Sequence, residues 1–191
     1  MDAPENSLEI EAKFQVTSFE HVRNHLWELR IPCSGVEYQR DVYYASSYRD
    51  FGETDEALRV RYGDGITILT YKGPKLATHG LKAREEINVR VNPGEDLEKI
   101  LQRLGYSPVY TVEKKRERYE RVGIEISLDE VKGLGTYVEI ELKIPQVDPE
   151  EAIAAMKKKL GIEGEHIPLS YLELLRLRET SGQPGYPSHP H

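Results

Sequence analysis

Glu9, Glu11 and Lys13 recur in kind and spacing as Glu139, Glu141 and Lys143. The stretch Leu8-Glu9-Ile10-Glu11-Ala12-Lys13 is nearly repeated as Val138-Glu139-Ile140-Glu141-Leu142-Lys143. Alternate side chains of a strand share a face, so each copy sets two carboxylates and an ammonium on one side and apolar residues on the other. If the two strands meet, four carboxylates come together. Crowded carboxylates repel in a partly dry site, and a hard cation with oxygen ligands, Mg²⁺ or Mn²⁺, relieves that repulsion. One Glu-x-Glu alone is more often the wet face of an amphipathic strand, so the remaining charges must decide.

Those charges follow strand parity. Arg59 and Arg61 oppose Leu58, Val60 and Tyr62; Arg84, Glu86, Asn88 and Arg90 oppose Ile87, Val89 and Val91. Lys114, Arg116 and Arg118 share a face, Glu125, Ser127 and Asp129 oppose Ile124, Ile126 and Leu128, and Lys72 falls on the face of Thr70. Two or three like charges on one strand face repel unless an anion or facing acids lie between them. The economical arrangement is α+β: a closed eight-stranded antiparallel β-barrel, a tunnel with a charged lumen, its apolar outside covered by helices. A charged lumen is sensible only if it binds something. Arginine forks and lysines suit a chain of phosphates, with a divalent metal bridging them to the acids.

The elements that must position these residues are legible from pattern and punctuation. Strands are predicted at 8–13, 39–45, 57–62, 66–72, 84–91, 109–119, 123–130 and 136–144, with Gly63-Asp64-Gly65 as a turn. Thr17-Ser18-Phe19-Glu20 reads as a capping box opening a helix to about Arg30. Asn92-Pro93 starts a helix that stops at Gly105, Asp148-Pro149 opens one that closes on Lys157, Lys158 and Lys159, and Ser170 with Glu173 caps a last one. Leu76 to Lys82 is expected to be a mobile lid. Residues 1–179 form one domain in this reading, and 180–191, rich in Pro, Gly and His, a disordered tail.

The bulk composition narrows the function classes. The 191 residues carry a net charge of -7, which argues against a general nucleic-acid surface. No apolar run approaches membrane-spanning length, the first residues lack the regions of a signal peptide, and Cys33 is the single cysteine. A cytoplasmic protein with no membrane and no nucleic-acid partner is expected.

With these blocks in view, the chain resembles the CYTH superfamily of triphosphate tunnel metalloenzymes, which includes class IV adenylyl cyclases and thiamine triphosphatases. Glu9, Glu11 and Lys13 match the family's leading motif. Gln39 to Tyr44, Leu58 to Arg61, Leu69 to Pro74, Arg84 to Glu86, Lys114 to Arg116, Leu128-Asp129 and Leu134 to Glu141 follow in order. The resemblance implies Glu9, Glu11, Asp129, Glu139 and Glu141 as ligands of Mg or Mn. It implies Arg59, Arg61, Lys72, Arg84, Lys114 and Arg116 as the grip on a triphosphate, and Lys13 with Tyr43 as catalytic groups. Ala45 stands where thiamine triphosphatases tend to carry an acid, and the segments around Gly73 and Arg84 are most similar to the class IV cyclase-like branch. The implied reaction is therefore ATP to cyclic AMP and pyrophosphate. Hydrolysis of ATP, tripolyphosphate or thiamine triphosphate is the alternative, and a non-catalytic nucleotide- or polyphosphate-binding module the second. A homodimer is the assembly such a chain allows.

Overall fold

The computed structural model describes residues 6–78, 81–144 and 148–181; at 6–9, 77, 78, 81 and 82 it describes the backbone alone. In chain order the elements are β1 (Asn6–Val16), α1 (Glu20–Glu28), β2 (Cys33–Ser46), β3 (Ala57–Gly63), β4 (Ile66–Lys72), β5 (Leu76–Thr78), β6 (Leu81–Val91), α2 (Gly94–Arg103), β7 (Tyr106–Arg121), β8 (Ile124–Val131), β9 (Gly135–Leu142), α3 (Pro149–Lys159) and α4 (Tyr171–Thr180). The strands run β1-β9-β8-β7-β2-β3-β4-β6, and β6 pairs back onto β1. Eight antiparallel strands thus close into a barrel. The short β5 pairs with β6 beyond the end of β4.

The register answers the question raised by the repeated hexapeptide. β1 and β9 are neighbours, with Glu11 opposite Glu141 and Lys13 opposite Glu139. On the outer face, Ala12, Phe14, Ile126, Leu128, Val138 and Ile140 pack against Val22 and Leu26 of α1 and Ile153 and Met156 of α3. Fully buried aliphatics such as Leu26, Ile126 and Ile140 each contribute about 1.5–3 kcal/mol. α2 lays Leu97 and Leu101 on Val42, Tyr44 and Val60. α4 sits differently. Its first residue, Tyr171, clusters with Tyr43, Val112, Val131 and Tyr137 at one end of the barrel.

The turn at Gly63-Asp64-Gly65 is realised with Asp64 and Gly65 both at positive φ, 47° and 73°, as a tight hairpin between twisted strands requires. The caps of α3 and α4 are also as expected. Asp148 accepts from the Glu151 amide at 3.0 Å, and Ser170 and Glu173 form a reciprocal capping box.

Four local expectations change. α1 has Phe19 at its N-cap with no side-chain cap, and Glu20 is already helical. Phe19 is buried in the outer core, so packing of an aromatic rather than a hydroxyl cap sets the helix entry. β2 begins at Cys33 and β7 at Tyr106, because the two pair along almost their whole lengths from Cys33–Tyr119 to Ser46–Tyr106. The segment read as a lid includes β5, whose Leu76 pairs with Ala83 across a hairpin; His79 and Gly80 lie outside the described residues. α4 extends through Thr180, a residue read as tail, and 182–191, also read as tail, lie outside the described residues.

Candidate functional site

Strand parity places the charges on the inside. A cavity of 2030 Å³ runs through the barrel, lined by Glu11, Lys13, Asp41, Tyr43, Arg59, Arg61, Lys72, Arg84, Glu86, Lys114, Arg116, Glu139 and Glu141 among others. Many of these side chains are cut off from bulk water: Lys13 is 2% exposed, Lys114 5%, Arg59 6% and Asp129 0%. Buried charges persist only when paired. Two ion networks on facing walls supply that pairing.

The first spans β2, β3, β4 and β6. Arg61 grips both oxygens of Asp41 through Nε and Nη2 at 2.6 and 2.7 Å. Burial alone would push the Asp41 carboxyl up, but the Arg61 and Arg59 guanidiniums outweigh it and hold it far below the usual carboxylate range. Lys72 meets Glu86 at 2.6 Å. Arg59 is held more loosely, 3.7 Å from Asp41 and 3.7 Å from Glu86, and donates to the Thr70 hydroxyl at 3.0 Å, which donates onward to Asn88 at 2.7 Å. Its Nε is buried and has no hydrogen-bond partner among the described residues. A buried guanidinium donor left open is uncommon and points to a missing acceptor.

The second network spans β1, β7, β8, β9 and α4. Asp129 accepts from Lys114 Nζ at 3.0 Å, from Arg116 Nε at 2.7 Å and Nη2 at 2.6 Å, and from the Tyr171 hydroxyl at 2.9 Å. A carboxylate offers about four lone-pair sites, so this arrangement makes Asp129 an anchor for cations. Glu139 pairs with Arg116 and, at 3.2 Å, with Lys13. Burial, then repulsion of the phenolate by Glu139 and Asp129, raises the Tyr171 phenol well above its ordinary value, and burial likewise raises Tyr43. Both phenols therefore stay protonated near neutral pH, and that of Tyr171 donates to Asp129.

Beside the second network, on its own strands, runs a row of carboxylates. Glu11, Glu141 and Glu125 face one another across β1, β9 and β8, with Lys143 2.8 Å from Glu141 and 3.4 Å from Glu125. Like charges directly opposite destabilise a sheet, and an oxygen donor set of this kind fits a hard divalent cation. Among the described residues no three His, Cys, Asp or Glu side chains are already arranged to hold a metal ion. The Glu9 side chain is not described; its backbone pairs opposite Arg84.

The sequence-derived candidates separate in detail. Arg84 donates to the Gly73 carbonyl from Nε at 2.8 Å and to the Asp55 carbonyl from Nη2 at 2.8 Å. Its guanidinium thereby ties the connection after β4, and the segment before β3, to β6. Lys13 contacts Glu139, the Leu169 carbonyl at 3.1 Å and the face of the Tyr171 ring at 4.1 Å. Glu86 and Glu125 were visible in the charge parity but were not singled out, and Asp41 lay unmarked within the Gln39 to Tyr44 block. Tyr171 carried no signal, since it begins a helix and no strand alternation points it inward.

One ammonium makes the site pH-sensitive. Burial and the adjacent Arg116 pull Lys114 down to about 8 against the opposing attraction of Asp129 and Glu139. Loss of that charge weakens the hold on an anion, and a bound polyanion raises the value. Affinity for tripolyphosphate is therefore expected to be flat below pH 8 and to fall by up to about tenfold per pH unit above it. Calorimetric titration from pH 6.5 to 9.5 checks this; Lys114→Arg should flatten the profile, and an equally steep fall in that variant would exclude Lys114 as its source.

A family model described as the CYTH domain matches residues 7–171. A Methanocaldococcus jannaschii protein that bears the name "putative adenylate cyclase" is 37% identical over 172 residues, spanning 87% of this chain and 98% of its own length. Among solved structures, the PH1819 protein of Pyrococcus horikoshii OT3 superposes with a TM-score of 0.77 at 37% identity, covering 89% of this chain and 99% of that one. The HpAC1 protein of Hippeastrum, described as revealing a dominant triphosphatase activity, superposes at 0.67 with 19% identity, covering 89% of this chain and 95% of that one. At that identity the likeness is one of fold.

Proposed function

From the premise that this chain belongs to the CYTH family, we propose that its tunnel is the site of a metal-dependent enzyme acting on a triphosphate. The open Nε of Arg59, buried in a lumen of paired charges, carries the reading: it is a donor awaiting an acceptor in the place where Arg61, Lys72, Lys114 and Arg116 converge. Acids and bases alternate along the walls, which suits a polyanion arriving together with a divalent cation better than either alone. Glu9, Glu11, Glu139 and Glu141, with Glu125 beside them, would hold Mg²⁺ or Mn²⁺; Asp129, expected among the ligands, has both oxygens engaged by Lys114, Arg116 and Tyr171. Such an ion, when bound, neutralises phosphate charge and orients the phosphate chain.

The chain's own residues do the rest. Arg59 and Lys72 on one wall and Lys114 and Arg116 on the other fix the phosphates and stabilise charge on their oxygens as the bond breaks. Asp41 and Asp129 hold those cations in place when the lumen is empty. Tyr43 and Lys13 donate to oxygens near the reacting phosphorus. In the favoured reading the ribose 3′ hydroxyl of ATP attacks the α-phosphorus, giving cyclic AMP and pyrophosphate; the likeness to the Methanocaldococcus protein by name supports it. Hydrolysis at the terminal phosphorus uses the same grip and differs in which phosphorus meets the nucleophile. The exposed lone thiol of Cys33 agrees with a reducing, cytoplasmic setting, and no described helix is long and apolar enough to cross a membrane.

The test is incubation of the protein with ATP, tripolyphosphate or thiamine triphosphate and Mg²⁺ or Mn²⁺, with cyclic AMP, pyrophosphate and orthophosphate quantified. Cyclic AMP with pyrophosphate establishes the cyclase and orthophosphate the hydrolase. Binding without any product overturns catalysis and leaves a polyphosphate-binding module. Glu139→Gln should lower metal-dependent turnover at least tenfold, roughly the loss of one charged hydrogen-bonding partner. Unchanged rates would remove it from the site.

A further inference from the structure

We propose that Tyr171, at the start of the helix that closes one end of the barrel, is the positioning residue for the two tunnel lysines Lys13 and Lys114. The inference rests on the polyphosphate reading of the lumen. The ring of Tyr171 lies beneath both ammoniums, with Lys13 Nζ 4.1 Å and Lys114 Nζ 5.0 Å from its centroid, and is held edge-to-face by Tyr137 at 5.3 Å. Its hydroxyl donates to Asp129, the residue that also anchors Lys114 and Arg116. It is 6% exposed.

The consequence follows from donor counting. A lysine ammonium has three N–H bonds. Those of Lys13 are matched by Glu139 at 3.2 Å, the Leu169 carbonyl at 3.1 Å and the Tyr171 ring. Glu139 and Leu169 hold the head strongly, whereas a ring face is the weakest of the three partners. The ring orients the ammonium without neutralising it, so the head is already in place when a phosphate approaches. Lys13 is thus held oriented by three contacts. Leu169 and Tyr171 both belong to the segment entering α4, and Ile167 donates to the Lys13 carbonyl at 2.8 Å, so one stretch of chain fixes both the backbone and the head of this lysine.

The test pairs two substitutions with two readouts. Tyr171→Phe keeps the ring and removes the hydroxyl; Tyr171→Leu removes the ring. In the wild type, the methylene signal beside the Lys13 ammonium, assigned by its loss in Lys13→Arg, should lie upfield of the other lysines through the ring current. It should stay there in Tyr171→Phe and return to the common position in Tyr171→Leu. Tripolyphosphate affinity without metal should fall about tenfold or more in Tyr171→Leu and change less than about threefold in Tyr171→Phe, as two cation–ring contacts imply. An unshifted Lys13 signal in the wild type, or a Tyr171→Phe protein that binds as weakly as Lys13→Ala, overturns the assignment; both hold even if Tyr171→Leu does not fold. A wild type that binds no tripolyphosphate yet shows the upfield Lys13 signal supports the positioning role and sinks the proposed function instead.

Discussion

Asp129→Ala is expected to cost about 3–5 kcal/mol of folding stability, because it strands buried cations that it alone brings together. Asp129 is fully buried and accepts four hydrogen bonds, from Lys114, Arg116 and Tyr171. Burial by itself would raise its carboxyl, yet the Arg116 and Lys114 charges keep it ionised below the ordinary aspartate range. Removal leaves Arg116 with Glu139 alone and Lys114 without its 3.0 Å partner. Denaturant unfolding measures the loss. A change below about 1 kcal/mol, the scale of an exposed pair, would show that water reaches this end of the tunnel and that the network is weaker than its geometry implies.

Arg59→Met should do the opposite. Tripolyphosphate affinity is expected to drop by about 10²–10³-fold, the worth of one or two charge-assisted hydrogen bonds in a dry site. Stability should fall by less than in Asp129→Ala, since each acid keeps a shorter cationic partner and the buried bond lost is the one to Thr70. Arg59 stands 3.7 Å from each of its acids, while Asp41 keeps Arg61 and Glu86 keeps Lys72 at 2.6 Å. Isothermal titration and unfolding on the same preparation separate the two effects. If the variant bound tripolyphosphate as the wild type does, the open Nε of Arg59 would not face the ligand. The pair of substitutions thus distinguishes residues that hold the lumen together from residues that wait for a ligand, although both kinds are buried and charged.

How much of this was legible in sequence depended on periodicity. Arg59 and Arg61, Lys114 and Arg116, and Glu139 and Glu141 declared a common face because a strand's side-chain period is two, whatever its neighbours. The cap at Ser170 and the helix stop after Lys159 were likewise local and came out as written. The cap at Thr17 did not, since Phe19 is drawn into the outer core and packing outweighs a local hydrogen bond. The polar start of β2, from Cys33 to Tyr38, shows no clean alternation, and its strand state comes from β7 alongside it.

By itself, then, the sequence determined which residues share an inner wall and that this wall is charged, because alternation is a property of a single strand. Which charges meet was decided only by tertiary structure. The register of β1 against β9 set Lys13 opposite Glu139, the connection after β4 brought the Gly73 carbonyl to Arg84, and the closing helix carried Tyr171 between Lys13 and Asp129. Such pairings join positions up to 158 residues apart in the chain, and they depend on strand register and helix docking, which no local pattern encodes.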